Sequence, residues 1–187
     1  MRGWDRACAQ ARCRAAVVVV FALLALAAAG GCTDRADRPS ATLGFDVVPA
    51  TVTRVVDGDT AIVTLRGGTR ERLRFIGVDA PETTTRHEPY GTEASAFAKK
   101  RLTGRQVWLQ IGIEQRDQYG RLLAYVWLEP PDSTTDHELR TKQFNAQLLL
   151  EGYAQLLTIP PNNDYAEQYR AFQAEARKAN RGLWGLP

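Results

Sequence analysis

At 187 residues, 44% of them hydrophobic, the chain has material for one core and a tail, and too little for several domains. Its formal net charge of +3 comes from the leader: residues 1–31 hold four of the 24 basic side chains and one of the 21 acidic ones, leaving 20 of each beyond residue 31. A neutral remainder excludes a passive coat protein that holds nucleic acid by its overall field, so any such affinity must come from a local cluster or a bound cation.

Arg2, Arg6, Arg12 and Arg14 precede an uncharged apolar run from Ala15 to Ala29, followed by Gly30-Gly31-Cys32. A basic head, an apolar middle and a small-residue zone have the shape of a secretory signal peptide over residues 1–31. The small residues before Cys32 are similar to the lipobox of bacterial lipoproteins, although Ala29 stands where such motifs usually carry Leu. We expect Cys32 to be lipidated and to become the mature N-terminus, with plain secretion and an uncleaved anchor as alternatives. The run falls short of the ~20 residues that a bilayer span prefers, which counts against the anchor. Processing there removes Cys8 and Cys13, so no cysteine pair remains and packing alone must hold the domain. Residues 32–49, polar and broken by prolines, read as a flexible tether, and residues 50–187 as the domain.

Thr51 to Val56, Thr60 to Leu65 and Glu71 to Ile76 are β-rich runs separated by Asp57-Gly58 and Gly67-Gly68, which predicts a three-stranded meander. A loop from Thr83 to Pro89 follows. Ala94, Phe97, Ala98 and Leu102 then recur at helical spacing, ended by Gly104. Val107 to Ile113 and Leu122 to Leu128 read as two more strands across the polar turn Glu114 to Gly120, with Trp108, Tyr125 and Trp127 as core. Glu129 to Thr141 reads as irregular, and Phe144 to Glu151 as a short helix. The stripe Tyr165, Tyr169, Phe172, Ala176, Ala179 makes a longer one, capped by Asn163 or Asp164, ended by Gly182 and packed down by Trp184. His87 and His137 sit in polar loops with no partners at ligand spacing. Five strands with a helix between the third and fourth predict a β-barrel with helices: an OB-fold, a five-stranded Greek-key barrel with about three α-helices.

Three segments carry charge that folding does not demand: Asp57-Gly58-Asp59-Thr60, Arg74 to Glu82, and Tyr119-Gly120-Arg121. Each has an ordinary reading, as a hairpin turn, a polar loop stopped by Pro81, or a solvent-facing arginine. Together they say more. Asp59 begins a strand, where an acid has low propensity, and Asp79 ends a neighbouring one, so a barrel brings both to one rim. Two carboxylates there repel unless a cation neutralises them. Arg74 and Arg121 offer permanently charged forks that match phosphate oxygens, and Glu82, ionised at neutral pH, can serve as a base.

The order and spacing of these pieces closely resemble the staphylococcal nuclease-like, or thermonuclease, family. The matching segments are Val55 to Thr60, Arg74 with Val78 to Glu82, Tyr90 to Phe97, Asp117 to Tyr125, and Pro161-Asn162-Asn163. The resemblance implies an OB-type barrel and a Ca²⁺-dependent nuclease acting on DNA and RNA and leaving 3′-phosphate ends. It implies Ca²⁺ ligation by Asp59, Asp79 and the backbone carbonyl of Ala80, a base or water-orienting role for Glu82, and a phosphate clamp formed by Arg74 and Arg121. Tyr119 is a candidate nucleotide contact, its other reading being a turn aromatic packed on the barrel. Two departures stand out: Ala80 replaces the family's Thr, and Leu157 and Ile159 replace tyrosines that contact nucleotide. The expected protein is a monomer at the cell envelope. The alternative is a catalytically weak barrel of the same fold that binds nucleic acid or protein.

Overall fold

The computed structural model describes residues 46–83 and 88–186. The leader, most of the tether, Cys32 and His87 lie outside the described residues. Among those described, no helix is long and apolar enough to cross a membrane.

Five strands close a barrel in the order β1 (Val48–Val55), β2 (Thr60–Leu65), β3 (Arg70–Phe75), β6 (Leu122–Trp127), β5 (Gln106–Arg116). All neighbours are antiparallel except β3 and β6, whose parallel pairing of Leu73 to Phe75 with Leu122 to Ala124 shuts the barrel. A separate two-stranded pair joins β4 (Val78–Asp79) to β7 (Gln155–Leu156). Alternation sends Val52, Ala61, Val63, Leu73, Phe75, Val107 and Leu109 inward, all at most 1% exposed. β6 is apolar throughout because both its faces are covered: Ala124 and Val126 face one way, Tyr125 and Trp127 the other, and all four are buried. Tyr125 meets the Tyr165 ring edge-on at 4.7 Å between centroids. Trp108, expected in the core, is half-buried at its margin, on the β5 face opposite the fully buried Val107 and Leu109.

The first strand begins three residues before the expected Thr51. β5 runs to Arg116 rather than Ile113, because side chains hold its end. Asn162 accepts from the Glu114 amide at 3.0 Å and donates to its carbonyl at 2.8 Å, while Arg116 forks onto both Glu71 oxygens at 2.8 and 3.0 Å.

Four α-helices form, against about three expected: α1 (Gly91–Leu102), α2 (Asp136–Lys142), α3 (Phe144–Leu150) and α4 (Ala166–Lys178). The extra one is α2, in a stretch that reads as irregular and with His137 in its first turn. Thr135 caps it by accepting from the Glu138 amide, a Thr-x-x-Glu start inside the stretch expected to be irregular. α4 starts after Tyr165 without side-chain capping, so neither Asn163 nor Asp164 plays that part. Its end is set by Asn180 rather than Gly182. Asn180 is left-handed at φ 51°, its amide donates to Arg177 and the Arg181 amide donates back to Ala176, a Schellman closure. Trp184, half-buried in the following 3₁₀ turn, lies under the Arg177 guanidinium at 4.1 Å.

Helices pin the segment that matters for function. Buried Asn145 of α3 accepts from the Val126 amide at 2.9 Å and donates to the Ile76 carbonyl at 2.8 Å, tying β6 to the end of β3. Gly77, at φ 78°, lies against the Tyr169 ring of α4, where a Cβ would sit 2.6 Å from the ring. Residues 76–80 are therefore set by packing from two helices.

Candidate phosphodiester site

The site is built at the open end of β2 and β3. Asp57 accepts from the Asp59 amide at 3.2 Å and so forms the turn that starts β2. Gly58 lets this turn lie against Ala80 and α1, where an added Cβ would be 2.5 Å from the Ala80 Cβ. The approach buries Asp59 to 6% exposure. Its carboxylate accepts from the Thr60 hydroxyl at 3.0 Å and the Ala80 amide at 2.8 Å, and pairs with Arg74 at 3.2 Å. Burial nevertheless pushes this carboxyl up to about 6, the Arg74 charge opposing and the Asp57 charge adding to the rise. One guanidinium does not fully compensate that buried charge.

Arg74 holds the corner. Its Nη1 donates to the carbonyls of Phe75 at 2.8 Å and Val78 at 2.7 Å, and its Nη2 reaches Asp79 at 3.0 Å and Asp59 at 3.2 Å. The two carboxylates predicted to share a rim do share it, and this guanidinium keeps them from repelling. One oxygen of each lies within 3.2 Å of the same Arg74 nitrogen, so the two carboxylates are drawn together around this guanidinium. Asp79 is open to solvent, its side chain 61% exposed. Hard oxygens converging in a half-open corner suit a cation such as calcium, which takes carboxylate and carbonyl oxygens together with water. Among the described residues no group of three or more Asp, Glu, His or Cys is placed to hold a metal ion by itself, so carbonyl, water or substrate oxygens would have to complete the shell.

Glu82 is exposed in the loop three residues beyond Asp79. Its amide donates to the Glu88 carboxylate at 3.0 Å and its carbonyl accepts from the Glu88 amide at 3.1 Å. Gly91 allows α1 to start against this loop, since a Cβ there would stand 2.8 Å from the Glu82 carbonyl oxygen.

Arg121 approaches from the β5–β6 turn, which Asp117 organises. One Asp117 oxygen accepts from the amides of Tyr119 and Arg121, both at 2.9 Å, and the other takes the Arg121 Nε at 2.6 Å. Burial favours the neutral acid here, but these donors outweigh it and hold the Asp117 carboxyl below its ordinary value. From sequence Asp117 is a turn residue only; its i, i+4 spacing to Arg121 is the signal that points to the pair.

Arg74, Tyr119 and Arg121 line one cavity of about 320 Å³ together with Leu123, Leu157, Ile159 and Asn162. Asp59, Asp79, Ala80 and Glu82 do not line it, and Arg74 joins the two halves. Tyr119 is 73% exposed, with the Arg121 guanidinium 5.4 Å from its ring centroid, so it is not packed into the barrel. Leu157 and Ile159, 36% and 58% exposed, give the cavity an aliphatic ledge.

Fold and site together define a class: an OB-type barrel whose rim combines an oxygen-rich corner with two arginines facing one cavity, an arrangement suited to phosphodiesters. Comparison with known proteins supplies the family. Residues 72–185 match the family described as staphylococcal nuclease homologue, and the chain belongs to it. The thermonuclease of Staphylococcus hyicus is 41% identical over 136 residues, covering 71% of this chain and 73% of the relative. That of Staphylococcus intermedius is 43% identical over 136 residues, covering 71% and 74%. Endonuclease YncB of Bacillus subtilis (strain 168) is 31% identical over 155 residues, covering 80% and 68%.

Proposed function

We propose that this chain is a calcium-dependent endonuclease that cleaves DNA and RNA with little sequence preference and leaves 3′-phosphate ends. Family membership supports the nuclease chemistry. The single observation that carries the finer reading is the Arg74 guanidinium, which contacts Asp59 and Asp79 on one side and lines the cavity shared with Arg121 on the other.

In this reading the scissile phosphate lies between Arg74 and Arg121. Attack builds negative charge on its equatorial oxygens, and the two guanidiniums, charged at any working pH, oppose that charge where it grows. Glu82 accepts the proton of the attacking water at its carboxylate. Calcium, held by Asp59, Asp79 and the Ala80 carbonyl, would supply further positive charge at the phosphate. Tyr119 lies against the adjoining nucleotide. The chain acts as a monomer, exported by residues 1–31 and held at the envelope by lipidated Cys32.

Purified protein incubated with single-stranded DNA, duplex DNA and RNA tests the reading. Cleavage in calcium that stops in chelator, with phosphate on the 3′ side of the cut, is the expected result. Cleavage that persists in chelator defeats the calcium assignment, and none in calcium defeats catalysis. Membrane partitioning of the wild type, lost in Cys32→Ala, tests the anchor.

A further inference from the structure

Leu73 and Phe75 of β3 point into the core, so Arg70, Arg72 and Arg74 share its outer face. Arg74 ends this row at the Asp59–Asp79 corner. The register extends it sideways: Ile62 of β2 pairs with Arg72 and, on its other edge, with Arg54 of β1. Thr64 likewise lies between Arg70 and Thr51.

Arg54, Arg70 and Arg72 are exposed, and none makes an ion pair or side-chain hydrogen bond with a described residue. Glu71, the acid on this strand, occupies the alternate position, and its carboxylate is taken by Arg116 at 2.8 and 3.0 Å. Folding gains nothing from this arrangement. Like charges on one sheet face repel, and the cross-strand neighbours Ile62 and Thr64 offer them no counter-charge. The row matters more because the chain beyond residue 31 is neutral, with 20 acidic and 20 basic side chains, so no general basic field substitutes for it.

We propose that the outer face of β1–β3 is a second substrate-binding surface, a track for the phosphates that flank the scissile one on a single polynucleotide strand. The inference rests on the nuclease reading above. Alternate residues along a strand stand about 6.7 Å apart, comparable to successive phosphates of an extended single strand, so Arg72 and Arg70 each meet one phosphate beyond Arg74. Arg54, about 10 Å from Arg72 across two strand spacings, borders the same path. Ile62 presents an apolar surface between them for a sugar or base. The occupant is an unpaired strand because Arg70, Arg72 and Arg74 lie in single file along β3, one guanidinium per phosphate, which matches one backbone rather than two. The track continues from Arg74, where the nuclease reading places the scissile phosphate.

The test compares full-length wild type with the combined variant Arg54→Gln, Arg70→Gln, Arg72→Gln. Fluorescence anisotropy gives the affinity of each for a single-stranded 12-nucleotide DNA and for a dinucleotide at several salt concentrations, and cleavage of both is followed in parallel. The expected result is at least tenfold weaker 12-mer binding in the variant and a much smaller loss for the dinucleotide. With about 0.7 counterions released per single-strand phosphate contact, the slope of log affinity against log salt falls by about 2. Equal losses for both lengths or an unchanged 12-mer affinity would each overturn the track. Wild type that binds the 12-mer but cuts nothing overturns the nuclease reading instead, and the length-dependent loss then still decides the track.

Discussion

The two arginines of the site are held in opposite ways. Arg74 is 12% exposed and makes four contacts, two to carbonyls of its own corner and two to carboxylates. Arg121 is 21% exposed, and its only described ion-pair partner is Asp117, through Nε. The corner around Arg74 is thus a structural joint that also faces the cavity. The turn around Arg121 is a mount that presents a guanidinium and supports little else. Similar charge on each side of one cavity therefore has different consequences when removed.

The largest expected effect comes from Arg74→Gln. Turnover should fall by about several hundredfold, since one charge-stabilising donor contributes about 3 to 4 kcal/mol at the transition state. Stability should fall as well, by on the order of 3 kcal/mol above pH 7, because buried Asp59 loses its cation. Urea unfolding followed by circular dichroism, beside turnover, reads both. A variant that loses activity at full stability would break the distinction drawn between the two arginines.

Arg121→Ala should also lower activity, less than Arg74→Gln does, and without the stability loss. A partly exposed ion pair contributes about 0.2 to 1 kcal/mol, so the urea midpoint should hardly move while turnover drops by about a hundredfold or more. Large destabilisation here would show that the turn is a joint too.

The sequence showed the ingredients of both regions but not their division of labour. Inward apolar positions placed β2 and, from Leu73 to Phe75, β3, while the unbroken apolar run from Leu122 to Trp127 placed β6. Such patterns missed α2, whose Thr135–Glu138 start is four residues long, and the end of β5, which depends on Asn162, 46 residues beyond Arg116. At the site, residue types alone pointed to Asp59, Asp79, Arg74 and Arg121. What they could not carry is burial. Asp59 is sunk because Gly58 lets a turn lie on Ala80, a contact across 22 residues. Asp117 looked like turn chemistry because its partner amides are local.

A smaller effect is expected on the ledge beside Arg121. Ile159→Tyr restores a stacking surface where the ledge is most open, 58% exposed. Stacking of a base on an aromatic ring is worth about 1 to 3 kcal/mol, so KM for single-stranded DNA should fall by about fivefold or more with kcat little changed. An unchanged KM would mean that the substrate base does not reach this ledge.

The smallest effect is a pH dependence that belongs to the Arg121 turn alone. In Asp117→Asn a side-chain oxygen can still accept amide hydrogen bonds, but the charge opposite Arg121 is gone. The folded-state value of Asp117 lies below its ordinary 3.8, so the unfolded chain takes up a proton at this group before the folded one does. The stabilisation it gives is therefore complete above the unfolded value and is lost as pH falls through the lower folded value. Glu71 and Glu175 are held low as well, by Arg116 and Arg140, so the total acid response is shared. Comparing wild type with the asparagine variant isolates one share. The difference in Tm between them should be constant from neutral pH down to about 5 and shrink below about 4. A gap that stays constant in acid would place the value of this aspartate in turn geometry rather than in charge, leaving Arg121 mounted by shape alone.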